Sequence, residues 1–352
     1  MSGTELTADL SSALRGAWYM AGWSHDFPVD RPVAALILDE PLVLFRREDG
    51  ALVALEDRCC HRLAPLSHGA IEGGSLRCMY HGLRYDGQGR CVEIPGRSTV
   101  PAALRVRSFP VVERHSAAWV WMGEAAKADA AQIPPFVGVG DPAWAMHPGH
   151  MDYVAHYKLI EDNLLDLSHI PYVHRASFGR NDPESNAAWA RAPVHTVEVP
   201  RGVHVQRWLT DAPAPPNLAA TSARVDVETS YDYLVPGVFL LTTRYFRPGA
   251  SALSSRGEGT GEPLFESFSC QAVTPRSARS TTYFFAYGPR AQHAALKDKF
   301  RDVALMAFGE DRVMIEGQQR VINADPQRRM ILLDFDRGPV MYDKVVERLR
   351  QE

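Results

Sequence analysis

The sequence predicts an α+β protein of two domains, in which a small antiparallel β domain precedes a larger domain that combines helices with strands. The length of 352 residues is the first observation, since domains hold roughly 150 residues each. The second is a series of short β-prone segments, separated by turn signals, early in the chain. The third is helical periodicity that appears from Met151 onward beside further strand-like segments. We therefore expect a first domain at 1–125, a linker at 126–150 and a second domain at 151–352.

Taken in order, the elements are mainly strands with a few helices. In the first domain the predicted strands are 33–38, 42–46, 52–56, 108–112 and 117–122. The second domain opens with a helix at 158–168, and a long helix at 292–323 follows its strands. Those strands are expected at 194–199, 204–209, 223–234, 238–245, 266–273 and 281–287. The Pro-rich segment 211–220 and the Gly/Ser-rich segment 247–263 are predicted to be mobile loops, of the kind that often cover binding sites.

Composition excludes several classes of function. The 38 basic and 42 acidic residues leave a net charge of −4, which provides no basic surface for nucleic acid or for an acidic membrane. No segment reaches the ~18 apolar residues of a membrane span, and the N-terminus lacks the basic region of a secretion signal. The five cysteines are an odd number in a long chain, which argues against a disulfide framework. We therefore expect a cytoplasmic protein without nucleic-acid or membrane partners.

Four candidate metal ligands form two Cys/His pairs, Cys59-x-His61 and Cys78-x-x-His81, with sixteen residues between the pairs. On facing loops, such pairs supply two thiolates and two imidazoles. A zinc site fits this ligand set, and so does a Rieske [2Fe–2S] cluster with the thiolates on one iron and the imidazoles on the other. Zinc fingers more often pair Cys with Cys, so the mixed pairs favour the cluster. Cys60 lies between two ligands and adds an oxidisable thiol beside them.

The second constellation surrounds His169 and His174. On a continuous helix, Asp162, Asp166 and His169 fall on one face, and Pro171 ends or bends that helix. The bend brings His174 back beside His169. Two imidazoles and one carboxylate form the facial triad of mononuclear non-haem Fe(II), which leaves open positions for O2 and substrate.

The carboxylate of this triad has to come from elsewhere, and the long C-terminal helix offers the acidic pair Glu310-Asp311. One stripe of this helix repeats with a 3.6-residue period, and its members are Leu296, Phe300, Val303, Ala307, Met314 and Gln318. Asp311 lies near the middle of the stripe, and Glu310 lies near its edge. A carboxylate on a buried face is costly unless it is paired or bound to metal. We therefore choose Asp311 over Glu310 as the third ligand.

Both constellations resemble the metal-binding motifs of the Rieske oxygenases. The runs 58–67 (RCCHRLAPLS) and 78–86 (CMYHGLRYD) look like the two cluster loops of that family, except that Cys60 stands where proline is common. The run 163–169 (NLLDLSH) and the Glu310-Asp311 helix resemble the short group that includes the vanillate and dicamba O-demethylases. The resemblance implies a Rieske domain followed by a catalytic domain built as a helix-flanked antiparallel sheet, a helix-grip or START-like fold. It also implies one [2Fe–2S] cluster and one mononuclear Fe(II) per subunit.

The resemblance further implies partners and a path for electrons. A separate NAD(P)H-dependent reductase, with flavin and iron–sulfur groups, is expected because the chain has neither a G-x-G-x-x-G motif nor a plant-type ferredoxin motif. In the family, subunits form a head-to-tail homo-oligomer, usually a trimer, that brings one cluster near the neighbouring iron. Asp166 matches the bridging aspartate of the family. It is implied to link His81 of one subunit to His169 of the next.

The expected activity is O2- and reductase-dependent oxidative O- or N-demethylation of an aromatic small molecule, with release of formaldehyde. Hydroxylation of a ring or benzylic carbon is the alternative within the same class. Two other classes remain open on the residues alone. An electron-transfer Rieske protein would leave His169, His174 and Asp311 without a purpose, and a zinc-stabilised binding protein would be colourless and free of sulfide.

Substrate contacts are expected from the sheet between residues 225 and 287, from the loop 175–186 and from the helix near Leu164. Tyr231 is a candidate to stack on an aromatic ring. Gln271 and Arg244 are candidates to hold a polar substituent of the ring.

Overall fold

The computed structural model describes residues 9–177, 183–215, 218, 220–250 and 261–351. By their contacts these residues form two compact units. The Rieske-type motif lies in the unit of residues 9–135 and 274–278, and the second constellation lies in the unit that starts at Phe136. Most of the predicted loop 247–263, and parts of the loops 175–186 and 211–220, lie outside the described residues.

Three antiparallel sheets build the first unit. Their orders are β1-β11-β10, β2-β3-β4-β9 and β5-β6-β7-β8. The strands are β1 Trp18–Trp23, β2 Val33–Ile37, β3 Glu40–Arg46, β4 Leu52–Glu56, β5 Ala70–Glu72, β6 Ser75–Arg77, β7 Arg84–Tyr85, β8 Cys91–Glu93, β9 Ser108–Phe109, β10 Val111–Arg114 and β11 Ala117–Trp121. The predicted segment 108–112 is therefore two strands, because Pro110 lacks the N–H that a continuous ladder needs.

Apolar side chains from the second and third sheets form one buried cluster, which includes Phe45, Leu55, Leu76, Cys59 and Cys78. Sequence inspection does not identify β5 to β8, because strands of two or three residues are too short to show alternation. These short strands nevertheless carry the loops that hold the Cys/His pairs.

A seven-stranded sheet forms the frame of the second unit, in the order β12-β18-β17-β16-β15-β14-β13. From β13 to β17 each strand pairs antiparallel with the next, and β12 pairs antiparallel with β18. The strands are β12 His147–Tyr153, β13 Val194–Val199, β14 Gly202–Pro213, β15 Arg224–Leu234, β16 Val238–Phe246, β17 Phe265–Ser277 and β18 Ser280–Pro289. All six predicted strands are present. The additional strand β12 begins inside the range expected for the linker.

Helices lie against this sheet and bring the second constellation to it. They are α1 Tyr157–Leu165, α2 Ile170–Val173, α3 Pro183–Arg191, α4 Lys297–Ala324 and α5 Arg337–Arg350. The long helix α4 packs on β12 and β18, whereas α3 and α5 pack on β14. Among the described residues, no helix is long and apolar enough to cross a membrane. The predicted α+β fold class, with antiparallel sheets and few helices, is confirmed.

One cross-strand pair makes the stability of the second unit depend on pH. His204 Nδ1 in β14 lies 2.8 Å from Asp232 Oδ1 in β15, and the hydrogen bond to Asp232 raises the pKa of His204 above its ordinary value. Because the folded-state pKa is the higher one, the pair stabilises the fold below pH ~6.5 and loses this contribution as the pH rises through the raised pKa.

We therefore expect Asp232→Asn to lower the free energy of unfolding by about 0.5 kcal/mol at pH 5.5, the size of a partly exposed ion pair. At pH 9 the same substitution should have no effect. Urea unfolding at both pH values measures this difference, with His204→Gln and the double variant as controls. A pH-independent effect of Asp232→Asn would contradict the ion-pair interpretation.

Candidate functional site: two metal centres and an uncharged cavity

The two Cys/His pairs lie in loops with the same main-chain geometry. In each loop the Cys N–H donates to the carbonyl oxygen five residues on, and the N–H four residues on donates back to the Cys carbonyl. These hydrogen bonds are Cys59–Ala64, Leu63–Cys59, Cys78–Leu83 and Gly82–Cys78, all at 2.8 or 2.9 Å. The fourth residue has positive φ in both loops, 57° at Leu63 and 77° at Gly82. The two loops are therefore near-copies that face each other.

Within these loops the thiols are buried and the imidazoles are exposed. Cys59 and Cys78 are 2% and 1% exposed, whereas the rings of His61 and His81 lie at the surface with their centroids 4.5 Å apart. Burial raises the pKa of the Cys78 thiol, so metal binding has to displace its proton. Two buried thiolates beside two surface imidazoles fit the two unlike irons of a Rieske cluster.

A tyrosine lies behind the first thiol. The hydroxyl oxygen of Tyr85 is 3.1 Å from Cys59 Sγ and 3.2 Å from Cys60 Sγ. Tyr85 is fully buried, and the sequence offered no signal for this contact. Cys60 thus shares the hydrogen-bonding partner of a predicted ligand.

In the second unit, the structure brings His169, His174 and Asp311 together. The two Nε2 atoms are 3.3 Å apart, and Asp311 Oδ1 lies 3.6 Å from His169 Nε2 and 3.5 Å from His174 Nε2. Ligand atoms that share one divalent ion at about 2.1 Å lie roughly 3 Å from each other. The three atoms converge on one point, so this donor set fits a 2-His-1-carboxylate iron site.

Hydrogen bonds at Nδ1 fix both imidazoles with their Nε2 atoms directed toward each other and toward Asp311. His169 Nδ1 donates to the main-chain oxygen of Asp166 at 2.8 Å. His174 Nδ1 donates to Glu310 Oε2 at 3.2 Å. A proton held on Nδ1 leaves the Nε2 lone pair unprotonated, and a carboxylate partner increases the basicity of the ligand. The pKa of His169 is lowered, mainly by burial, which also favours the neutral, metal-binding form.

A hydrogen bond from α1 orients the third ligand. Asn163 Nδ2 donates to Asp311 Oδ1 at 3.1 Å. Burial raises the pKa of Asp311, which shows the cost of leaving this carboxylate without a cation. Glu310 and Asn163 hydrogen-bond to the ligands, a role that was not predicted for either residue from the sequence.

The predicted helix at 158–168 ends earlier than expected, at Leu165. Asp166 is extended, with φ −127° and ψ 101°, and its carboxylate accepts from the N–H of Ser168 as the N-cap of a short 3-10 helix. Asp162, Asp166 and His169 therefore do not share one helical face, and that prediction is wrong. The break lies at Asp166 rather than Pro171, which occupies the first turn of α2, where proline is tolerated.

The choice of Asp311 agrees with its burial, but the stripe that led to it is only partly correct. Met314 and Gln318 are exposed. The buried positions of α4 are Ala304, Ala307, Phe308, Asp311, Ile315 and Gln319. The true stripe is shifted by one residue from its middle onward, and Asp311 is central to both.

A cavity adjoins the segment that carries the two histidines. Its empty volume is about 1150 Å³, open solvent at the mouth included. Residues of the 3-10 helix, α2, α3, α4 and the face of the sheet line it, and they are Leu167, Ile170, Pro171, Ser185, Asn186, Trp189, Leu209, Ala212, Pro213, Pro215, Val227, Thr229, Leu241, Thr243, Tyr245, Ser269, Gln271, Tyr287 and Phe308. A largely apolar pocket with a few polar groups is typical of a small-molecule site.

Of the four predicted substrate contacts, only Gln271 lines this cavity. Arg244 forms ion pairs with Glu228 and Glu266 instead. Tyr231 packs against a neighbouring ring, tilted by 50° and with the centroids 4.8 Å apart, and its hydroxyl donates to the main-chain oxygen of Leu165. Leu164 is buried in α1 and is absent from the wall. The structure thus places Arg244, Tyr231 and Leu164 outside the described wall of this cavity, because their partners come from adjacent elements that the sequence alone does not reveal. Their contact with substrate stays a prediction.

Comparison with known proteins identifies both units. Residues 17–110 match the Rieske [2Fe–2S] domain family, and residues 153–352 match the vanillate O-demethylase oxygenase C-terminal domain family. A toluene-4-sulfonate monooxygenase system iron–sulfur subunit of Comamonas testosteroni is 34% identical over 92% of this chain and 93% of its own length. A vanillate O-demethylase oxygenase subunit of a Pseudomonas species is 34% identical over 89% of this chain and 95% of its own.

Solved structures agree with the sequence matches. Dicamba monooxygenase bound to dicamba superposes with a TM-score of 0.82 and 32% identity, over 96% of this chain and 98% of that one. The same enzyme with non-haem iron and dicamba has a TM-score of 0.75 and 29% identity, over 96% and 97% of the two chains. The chain therefore belongs to the Rieske oxygenases, as an oxygenase component of a multicomponent monooxygenase system related to vanillate O-demethylase.

Proposed function

We propose that this oxygenase component demethylates an aromatic methyl ether or N-methyl compound with O2 and electrons from a separate reductase. The observation that carries the proposal is that His169, His174 and Asp311 converge on one point. The segment that bears the two histidines also contributes to the wall of the largely apolar cavity. The relatives that are named as O-demethylases or as a dicamba monooxygenase support the same chemistry.

In this proposal, Cys59, His61, Cys78 and His81 hold the cluster, and the second triad holds Fe(II). When bound, the cluster supplies single electrons and the iron activates O2. The surrounding residues prepare the site. Glu310 keeps the proton on His174 Nδ1, and the cavity wall excludes water and directs a methyl group toward the triad.

The reaction balances as ArOCH3 + O2 + 2e⁻ + 2H⁺ → ArOH + HCHO + H2O. One oxygen atom enters the methyl C–H bond, and the resulting hemiacetal breaks its aryl-ether C–O bond on the methyl side. The phenol keeps the original ether oxygen, and the second atom of O2 leaves as water.

We also propose that the chain forms a head-to-tail homotrimer, in which Asp166 bridges His81 of one subunit and His169 of the next. His81 is exposed, and the described hydrogen bonds of the Asp166 carboxylate are those from Ser168. The main-chain oxygen of Asp166 already holds His169 Nδ1. In this proposal the carboxylate therefore meets the neighbouring imidazole while the backbone orients its own.

Hydroxylation of a methyl or ring carbon is a second candidate, and one comparison favours it. The relative from Comamonas testosteroni is named for toluene-4-sulfonate, a molecule without an ether oxygen. A monooxygenase that acts on this molecule inserts oxygen without O-demethylation.

Product analysis tests the proposal and separates the two candidates. The holoenzyme, a surrogate reductase, NADH and O2 are incubated with aryl methyl ethers and with the matching methylarenes. Demethylation predicts formaldehyde and phenol in equal amounts, with the phenol oxygen unlabelled when 18O2 is used. Hydroxylated methylarenes with no formaldehyde from any ether would reject demethylation in favour of the second candidate.

Tyr85 provides a further prediction for the cluster. A hydrogen bond to a thiolate ligand favours the reduced, more negative cluster, and its net value is about 1 kcal/mol. We expect Tyr85→Phe to lower the reduction potential by roughly 40 mV, since 59 mV corresponds to tenfold for one electron. Voltammetry of the holoprotein measures this shift, with the exposed Tyr80→Phe as the control. An unchanged potential in Tyr85→Phe would mean that its hydroxyl does not tune the cluster.

A further inference from the structure

We propose that the substrate of this site is an uncharged arene with a hydrogen-bonding substituent that the Thr229 hydroxyl holds. The proposal rests on the proposed function, because it assigns the substrate class of the same cavity. It also makes Thr229 a specificity-determining residue.

The first observation is a polar atom without a partner in the cavity wall. Thr229 in β15 is 5% exposed, and its Oγ1 is buried without a hydrogen-bonding partner among the residues that the structure describes. It lies opposite Thr243 of β16, and both residues line the cavity. Burying an unsatisfied hydroxyl is costly, and valine would fill the same volume in a β-strand without that cost. A bound molecule that hydrogen-bonds Oγ1 accounts for the threonine.

The second observation is the oriented amide of Gln271, which is 4% exposed. The hydroxyl of Tyr283 donates to Gln271 Oε1, and Gln271 Nε2 donates to Ser269 Oγ at 2.7 Å. Ser269 Oγ in turn donates to the main-chain oxygen of Ala286. This chain fixes the amide with its oxygen satisfied and leaves one Nε2 hydrogen for a further acceptor. The cavity thus offers neutral hydrogen-bonding groups at fixed positions.

The third observation concerns charge. All described residues that line the cavity are uncharged. The cation nearest to Thr229 in the strand register is Arg207 of β14, directly opposite it. The guanidinium of Arg207 lies 4.7 Å from the ring centroid of Trp189 and donates to the Trp189 main-chain oxygen at 3.2 Å.

The guanidinium of Arg207 therefore binds the carbonyl end of α3, where the helix dipole is negative. Arg207 is not among the residues that line the cavity. A carboxylate or sulfonate in the cavity would lose its hydration without gaining a cation from the described wall, which is unfavourable. A neutral substituent such as an amide, ester, ketone or phenol avoids this cost and satisfies Thr229.

Calorimetric titration of the holoenzyme with 4-methoxybenzamide and with 4-methoxybenzoate at pH 7.5 tests the charge preference. The two probes have nearly the same shape and differ in charge. We expect the amide to bind at least tenfold more tightly. Equal binding, or tighter binding of the benzoate, would overturn the proposal. If a preference for benzoate then disappears in Arg207→Met, the cavity is an anion site served by Arg207.

Substitutions at Thr229 test the residue itself. We expect Thr229→Val to weaken binding of 4-methoxybenzamide about tenfold, or ~1.4 kcal/mol, without lowering the melting temperature. Thr229→Ser keeps the hydroxyl and should retain wild-type affinity. Unchanged affinity in Thr229→Val, or an equal loss in Thr229→Ser, would contradict the assigned role.

Formaldehyde measured with the same two probes keeps the two proposals apart. Tight binding of the amide without formaldehyde would reject demethylation and keep the substrate class. Formaldehyde from the benzoate alone would reject the substrate class and keep demethylation.

Discussion

Replacement of Asp311 by Ala is expected to abolish oxygenation and to lower the iron content from roughly three to roughly two atoms per chain. Among the described residues, Asp311 supplies the one carboxylate that converges with His169 and His174. Without it, two imidazoles remain, and a divalent ion loses the only anionic ligand of the triad. We expect turnover to fall by at least about a hundredfold, as for a lost catalytic metal.

The cluster is the internal standard for this experiment. Its visible and EPR spectra should be unchanged in Asp311→Ala, since the two constellations use separate residues. The fold should also persist, because burial raises the pKa of Asp311 and its removal relieves that desolvation cost. Asp302→Asn, an exposed carboxylate on the same helix, is the matched control and should keep full activity and iron. Full iron content in Asp311→Ala would reject its role as a ligand.

Replacement of Asp166 by Asn is expected to leave both metal centres bound and to stop turnover, with a loss of about a hundredfold or more. Asn preserves the N-cap on Ser168, whereas Ala removes it at a cost of about 1 kcal/mol. Both variants keep the main-chain oxygen that orients His169. A common loss of turnover in both would therefore follow from the carboxylate rather than from the cap.

Mixed oligomers test whether this carboxylate acts between subunits. Chains with His81→Ala lack a cluster ligand, and chains with Asp311→Ala lack an iron ligand, so neither alone is active. Random mixing in a head-to-tail ring should restore about a quarter of the wild-type activity, since one in four interfaces pairs an intact cluster with an intact iron. Asp166→Asn placed in the His81→Ala chain should abolish the recovery. A mixture without activity would contradict electron transfer between subunits.

The Cys/His pairs and the acidic helix could be predicted from the sequence because chain spacing and periodicity determine them directly. Cys59 and His61 share a loop, so their separation along the chain sets their separation in space. Asp311 could be predicted as a ligand because a single carboxylate on an apolar helical face is unusual. The buried stripe is shifted by one residue from the predicted one, but Asp311 is central to both. The six strands β13 to β18 of the second unit were found for the same reason, since their patterns are long enough to recognise, whereas the seven-residue strand β12 was not predicted.

Local and long-range hydrogen bonds account for the features of the fold and of the site that were not predicted from the sequence. The helix ends before Asp166 because its side chain caps the next segment, a competition that propensity does not resolve. Arg244 was expected to meet substrate, yet neighbouring strands supply Glu228 and Glu266 to it. The role of Thr229 was not predicted, because only the folded structure shows whether a buried hydroxyl has a hydrogen-bonding partner. Support of His174 by Glu310 likewise depends on how α4 packs.

Low-temperature EPR of the dithionite-reduced protein with nitric oxide tests most directly whether the chain contains two separate iron centres that act together. We predict a rhombic Rieske signal and an iron–nitrosyl signal from the triad of His169, His174 and Asp311. The nitrosyl signal should shift when an aryl methyl ether occupies the cavity. A Rieske signal without any iron–nitrosyl signal, in iron-replete protein, would contradict the triad and leave the chain as an electron carrier.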